Sequence, residues 1–151
     1  MSHEHWLLRV GDGENFISSS KYGIWGIQSS FNSKHFLKNV KPGDILWFVQ
    51  SKNQGKIIAV STFSSHNLRD FGPLVDISLN NEQLGWNEKG KDWNNIDVEV
   101  HYTELYGLYN CELYTNITGP KTIRKYNEKC KINLENEYNH ILRYSKVNFE
   151  L

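Results

Sequence analysis

Five tryptophans stand in the chain, and three of them, Trp25, Trp86 and Trp93, lie outside its apolar strand-like runs, the last two with little apolar company. Trp25 follows a Lys21-Tyr22-Gly23 break, while Trp86 and Trp93 stand in the polar stretch Gly85-Trp86-Asn87-Glu88-Lys89-Gly90-Lys91-Asp92-Trp93-Asn94-Asn95. A large ring left on a surface loop is costly unless it has a task. Three such rings brought together would sandwich a planar base and close on a methyl group, with stacking worth about 1–3 kcal/mol per base. For Trp86 the alternative is that it packs back onto a sheet. Trp6 and Trp47 lie inside apolar strand-like runs and are expected in the core.

Other chemistry is thin. The histidines (His3, His5, His35, His66, His101, His140) form no HExxH pattern, and His66 with Asp70 is a helix-spaced pair of the kind found on solvated surfaces. There is no GxSxG and no P-loop, and Gly11-Asp12-Gly13 lacks a GxGxxG continuation, so no nucleotide cofactor is expected. Cys111 and Cys130 form no CxxC and have no paired histidines nearby, so they are read as buried thiols and no metal is expected.

These residues need elements to hold them. His5 to Val10 reads as a first strand, closed by Gly11-Asp12-Gly13, with a short helix from Glu14 to Lys21 and an extended or looped Tyr22 to Gly26. Ser33 is placed to cap a helix from Lys34 to Asn39. The turn Lys41-Pro42-Gly43-Asp44 then feeds a buried strand, Ile45 to Val49. The turn-forming Ser51 to Gly55 predicts an antiparallel return strand from Lys56 to Phe63. Leu74 to Leu79 and Asp97 to Tyr102 read as further strands, the second alternating as a half-buried strand does. Leu134, Tyr138, Ile141 and Leu142 recur at helical spacing and predict a helix over 133–145 that packs on the sheet. The class expected is α+β, mostly β, in one domain spanning 1–151 with its core in about 5–145.

The 151 residues suffice for a real core without staples. The longest apolar runs, such as Ile45 to Val49, are far below the roughly 20 residues of a membrane span, and the first residues lack the pattern of a signal peptide. An intracellular protein is expected, cytoplasmic or nuclear. Seventeen basic residues balance 17 acidic ones, which excludes binding of nucleic acid mainly by excess positive charge. Residues 1–66 carry +3, 67–118 carry −6 and 119–151 carry +3, so the two ends offer one basic face or merely solvated loops.

Three patterns, in order, resemble the PUA-like superfamily and in particular its YTH and EVE branches, which bind modified bases. The first is Trp6-Leu7-Leu8-Arg9 followed by Ser20-Lys21-Tyr22-Gly23-Ile24-Trp25; the second is Lys41-Pro42-Gly43-Asp44-Ile45-Leu46-Trp47-Phe48 with Gly55 to Val60. The third is Trp86 and Trp93 ahead of Ile96-Asp97-Val98, with Pro120 and Ile123-Arg124 later. The chain departs from YTH domains at Gly23, where Asn is common, and at Ile27-Gln28, where small hydroxyl residues are usual.

The resemblance implies a PUA-like, curved mixed sheet or open barrel with flanking helices, and no enzymatic activity. It implies a partner, single-stranded nucleic acid with a modified base, RNA ahead of DNA, and N6-methyladenosine foremost. It assigns Trp25, Trp86 and Trp93 to an aromatic cage. The backbone carbonyl of Gly26 would accept the N–H left on the methylated amine, and Asn15, ten residues before Trp25, would donate to ring N1, although from its surroundings alone Asn15 reads as part of a turn. Arg124, Lys121, Lys125 and Arg9 would hold phosphates. Three alternatives remain: an EVE-like reader of another modified base in DNA or RNA, an ASCH-like ribonuclease, whose GxKxxExR signature is absent, and a protein-interaction module built on exposed aromatics.

Overall fold

A computed structural model describes residues 3–28, 31–68, 85, 98–108, 113–115, 123–125 and 134–141. In chain order its elements are β1 (His5–Arg9), α1 (Glu14–Ser20), β2 (Ile24–Ile27), α2 (Phe31–Asn39), β3 (Ile45–Gln50), β4 (Lys56–Leu68), β5 (Val98–Gly107), β6 (Ile123–Lys125) and α3 (Leu134–Ile141). The strands form one curved, mixed sheet in the order β2-β5-β4-β3-β1-β6, in which β1 and β3 run parallel and the other neighbours antiparallel. The class is α+β, as expected. No helix among the described residues is long and apolar enough to cross a membrane.

Side chains alternate across a strand, so the continuous apolar runs of β1 and β3 require both faces of the sheet to be covered. On one face Trp6, Leu8, Leu46, Phe48, Ile58, Val98 and Val100 join Phe16 of α1 and Phe36 of α2 in a first core. On the other, Leu7, Ile45, Trp47, Val49, Ile57 and Val60 form a second core on which Tyr138 of α3 packs. Trp6 and Trp47 are 1% and 0% exposed, so both are core residues as expected.

Three expectations are corrected. The second helix starts at Phe31, and Ser33 lies inside it, where its hydroxyl donates back to the Gln28 carbonyl instead of capping a helix that begins at Lys34. β4 runs on past Phe63 to Leu68, because Ser65, His66, Asn67 and Leu68 pair with His101, Val100, Glu99 and Val98 of the long β5, with register shifts that bend the ladder. His66 is therefore on a strand and not on a helix, and Asp70 lies outside the described residues. Thirdly, β5 is not half-buried along its first residues. Val98, Glu99 and Val100 are all 0% exposed, so both faces of the strand are covered there, the two valines by the first core and Glu99 on the opposite face. The buried Glu99 keeps one carboxylate oxygen on His101 Nε2 at 2.7 Å. The expected strand at Leu74 to Leu79, Asn133, residues 142–145 and both cysteines lie outside the described residues.

Candidate functional site

Trp25 sits on β2, the edge strand at one end of the sheet order, paired with Val100 of β5. Its indole meets Phe16 of α1 edge to face, with ring centroids 6.0 Å apart and planes at 77°, and Phe16 in turn stacks on Phe48 at 4.2 Å. Trp25 is 8% exposed and belongs to the first core, so its ring is a wall of the interior as well as a candidate wall of a binding site.

The link between α1 and β2 is tight for a local reason. Gly23 has φ +68°, and a Cβ there would lie 2.6 Å from the Tyr102 carbonyl oxygen, so the position requires glycine. The departure from the YTH pattern at this residue is thus accounted for by its backbone.

The same junction fixes which way Gly26 points. The Tyr102 N–H donates to the Gly23 carbonyl at 2.9 Å. In an antiparallel ladder alternate residues turn their N–H and C=O toward the partner, so Gly23, Trp25 and Ile27 face β5 while Ile24 and Gly26 face away from it. The Ile24 carbonyl obeys this parity by accepting the Ser19 hydroxyl of α1 at 2.7 Å. Two residues on, the same parity turns the Gly26 carbonyl away from β5, and Gly26 itself is buried. Asn15 is half-buried on α1. α1 thus meets β2 through Phe16 on Trp25 and Ser19 on Ile24, and Asn15 is the residue before Phe16 on that helix.

One contact ties a distant segment to this place. Ser18 Oγ donates to the carbonyl of Gly85 at 3.0 Å, across 67 residues of sequence. Gly85 directly precedes Trp86. Neither Ser18 nor Gly85 is singled out by residue type, and only the position of Gly85 beside Trp86 could have marked it.

The remaining candidates are distributed differently. Trp86, Trp93 and Lys121 lie outside the described residues. The backbone of Arg124 and Lys125 is in β6, where they pair with Leu7 and Trp6 of β1, so they stand at the opposite end of the strand order from Trp25. Arg9 is half-buried at the end of β1, opposite Val49. Among the described residues no three His, Cys, Asp or Glu side chains are grouped to hold a metal ion.

Solved structures share the fold. The chain is similar over 93% of its length to 78% of the Mmi1 YTH domain (TM-score 0.55, 10% identity). It is likewise similar over 97% of its length to 90% of the YTH domain of the Zygosaccharomyces rouxii MRB1 protein, solved in complex with N6-methyladenosine RNA (TM-score 0.50, 15% identity). A hypothetical protein from Leishmania major matches over 94% of each chain (TM-score 0.52, 14% identity). In sequence, no family model and no curated protein matches the chain. At such identities the likeness is one of fold: the chain has a YTH-like α+β fold.

Proposed function

We propose that the protein reads a methylated base in single-stranded nucleic acid, N6-methyladenosine in RNA before other bases, without turning it over. The observation that carries this reading is the packing of Trp25 against α1 through Phe16, with the carbonyl of the buried Gly26 turned away from β5 on the edge of β2 that α1 adjoins. An acceptor next to an indole suits a secondary amine: the carbonyl takes the one remaining N–H, and the ring packs on the base. Asn15 supplies an amide donor for ring N1. Trp86 and Trp93 complete the cage in this reading, and the docking of Gly85 on α1 supports it for Trp86. Phosphates fall to Arg124, Lys121, Lys125 and Arg9. Two neighbours in fold support the class of partner, since the Mmi1 YTH domain is known in complex with RNA and the Zygosaccharomyces domain with methylated RNA.

The selectivity follows from two contributions. Burying the methyl group gains roughly 0.8 kcal/mol, and an unmethylated amine in the same pocket leaves an N–H unpaired at a cost of about 1–3 kcal/mol. With zero net charge few phosphates are neutralised, so micromolar affinity is expected.

Titration of methylated and unmethylated RNA and DNA oligonucleotides at two salt concentrations tests the reading. Because Trp25 is also a core residue, Trp25→Phe, which keeps an aromatic ring against Phe16, is the informative variant beside Trp25→Ala. Both should weaken binding of the methylated strand, the alanine variant by about 1–3 kcal/mol, and shrink the preference for it. Arg124→Ala should weaken both strands alike and lower the salt slope by about one. Equal affinity of the wild type for both strands would defeat the methyladenine reading and turn attention to other modified bases; shortening of the oligonucleotide would point to a nuclease.

A further inference from the structure

We propose that Ser18 is a positioning residue, whose hydrogen bond to Gly85 anchors the start of the Trp86 segment on the Asn15 face of α1. The functional consequence rests on the reading of Trp86 as a cage wall; the anchoring itself does not.

The contact is built from both sides. Gly85 has φ +77°, a backbone conformation that favours glycine, and a Cβ there would lie 2.7 Å from Ser18 Cβ and 2.8 Å from Ser18 Oγ. No other residue fits so close to the helix without displacing it. On the helix side, Ser18 Oγ lies 2.9 Å from the Asn15 carbonyl and 3.0 Å from that of Gly85, with one proton to give. The two carbonyls share that one donor, and the close approach of Gly85 to the Ser18 Cβ and Oγ keeps its carbonyl within reach of it.

The placement matters because of where Ser18 stands on α1. Residues three apart share a helix face, so Ser18 is stacked next to Asn15, while Phe16 turns inward to meet Trp25. Gly85 is thereby held on the face that carries Asn15, and the chain enters Trp86 one peptide bond later. A loop of polar residues has few ways to fix an indole. A single backbone anchor at its first residue supplies one.

The test uses the full chain labelled with 5-fluorotryptophan, whose five fluorine resonances are assigned by single Trp→Phe variants. Ser18→Ala removes the donor but raises helix propensity, so a merely structural serine would leave the spectrum and the selectivity as they are. Expected instead is a displaced or broadened Trp86 resonance, with Trp6 and Trp47 unmoved, and a loss of affinity for the methylated strand of about three- to tenfold, the size of one hydrogen bond. Gly85→Ala, which attacks the contact from the other side, should move the same resonance further. An unmoved Trp86 resonance in both variants would overturn the anchor. A wild type that ignores methylated strands, with the resonance still displaced in the variants, upholds the anchor and defeats only the proposed ligand.

Discussion

Asp44 ties the start of β1 to the turn before β3. It is 3% exposed, and its two oxygens accept the Trp6 indole N–H at 3.0 Å, the Lys41 N–H at 3.0 Å and the Glu4 N–H at 3.1 Å. Hydrogen bonds to a charged acceptor are worth about 1.5–3 kcal/mol each, and removing the acceptor strands buried donors. Asp44→Ala should therefore lower stability by more than about 2 kcal/mol, read from the urea midpoint, with an unchanged m-value. The sequence reveals the turn at Lys41 to Asp44, through its Pro-Gly pair, but not this role, because Trp6 stands almost forty residues upstream. The candidate site divides in the same way. Trp25 stands out by residue type, whereas Gly26 and Asn15 are marked only by the resemblance, since from its surroundings alone Asn15 reads as part of a turn. Ser18 and Gly85 are marked by neither, since a serine in a helix and a glycine in a loop carry no signal until the chain brings them together.

Elements were legible where periodicity is strong and obscured where polar residues occupy a strand. β1, β3 and the turn after β3 follow the apolar pattern directly. The second half of β4, Ser64-Ser65-His66-Asn67, is polar and lies past the expected end of the strand at Phe63, and it becomes strand through its pairing with the long β5. The packing of α3 has a titratable partner that the pattern does not expose. His5 of β1 is 9% exposed, accepts the Trp47 indole N–H on Nδ1 at 3.0 Å, and meets the Tyr138 ring of α3 edge on. Burial holds its imidazole below the ordinary value of 6.5, against the pull of Glu135, Glu4 and Asp44. In the window between the lowered value and 6.5 the unfolded chain binds the proton and the folded one does not. His5 thus favours folding fully above that window, and the benefit declines as the pH falls through it. Urea midpoints measured from pH 7.5 downward should fall more steeply below pH 6.5 in the wild type than in His5→Gln; parallel curves would remove His5 from the account.

At the scale of the whole molecule, the route of the chain through the sheet is unlike its spatial order. β2 follows β1 in sequence yet stands at the far end, separated from β3 by β5 and β4. β3 and β4 close on each other across a short turn, whereas Trp25 must wait for Val100, about 75 residues later. Closing the longer loop costs more entropy before any contact repays it. The hairpin is thus expected to belong to the folding nucleus and β2 to join after the main barrier. In chevron measurements Ile57→Val, in β4, should slow folding, while Ile27→Val, in β2, should leave the folding rate nearly unchanged and speed unfolding. The edge that carries Trp25 and Gly26 would then form after the β3–β4 hairpin and open before it. In native-state hydrogen exchange this edge should open at a lower free energy than β3 and β4, leaving an interior that is still folded around a surface that can no longer bind.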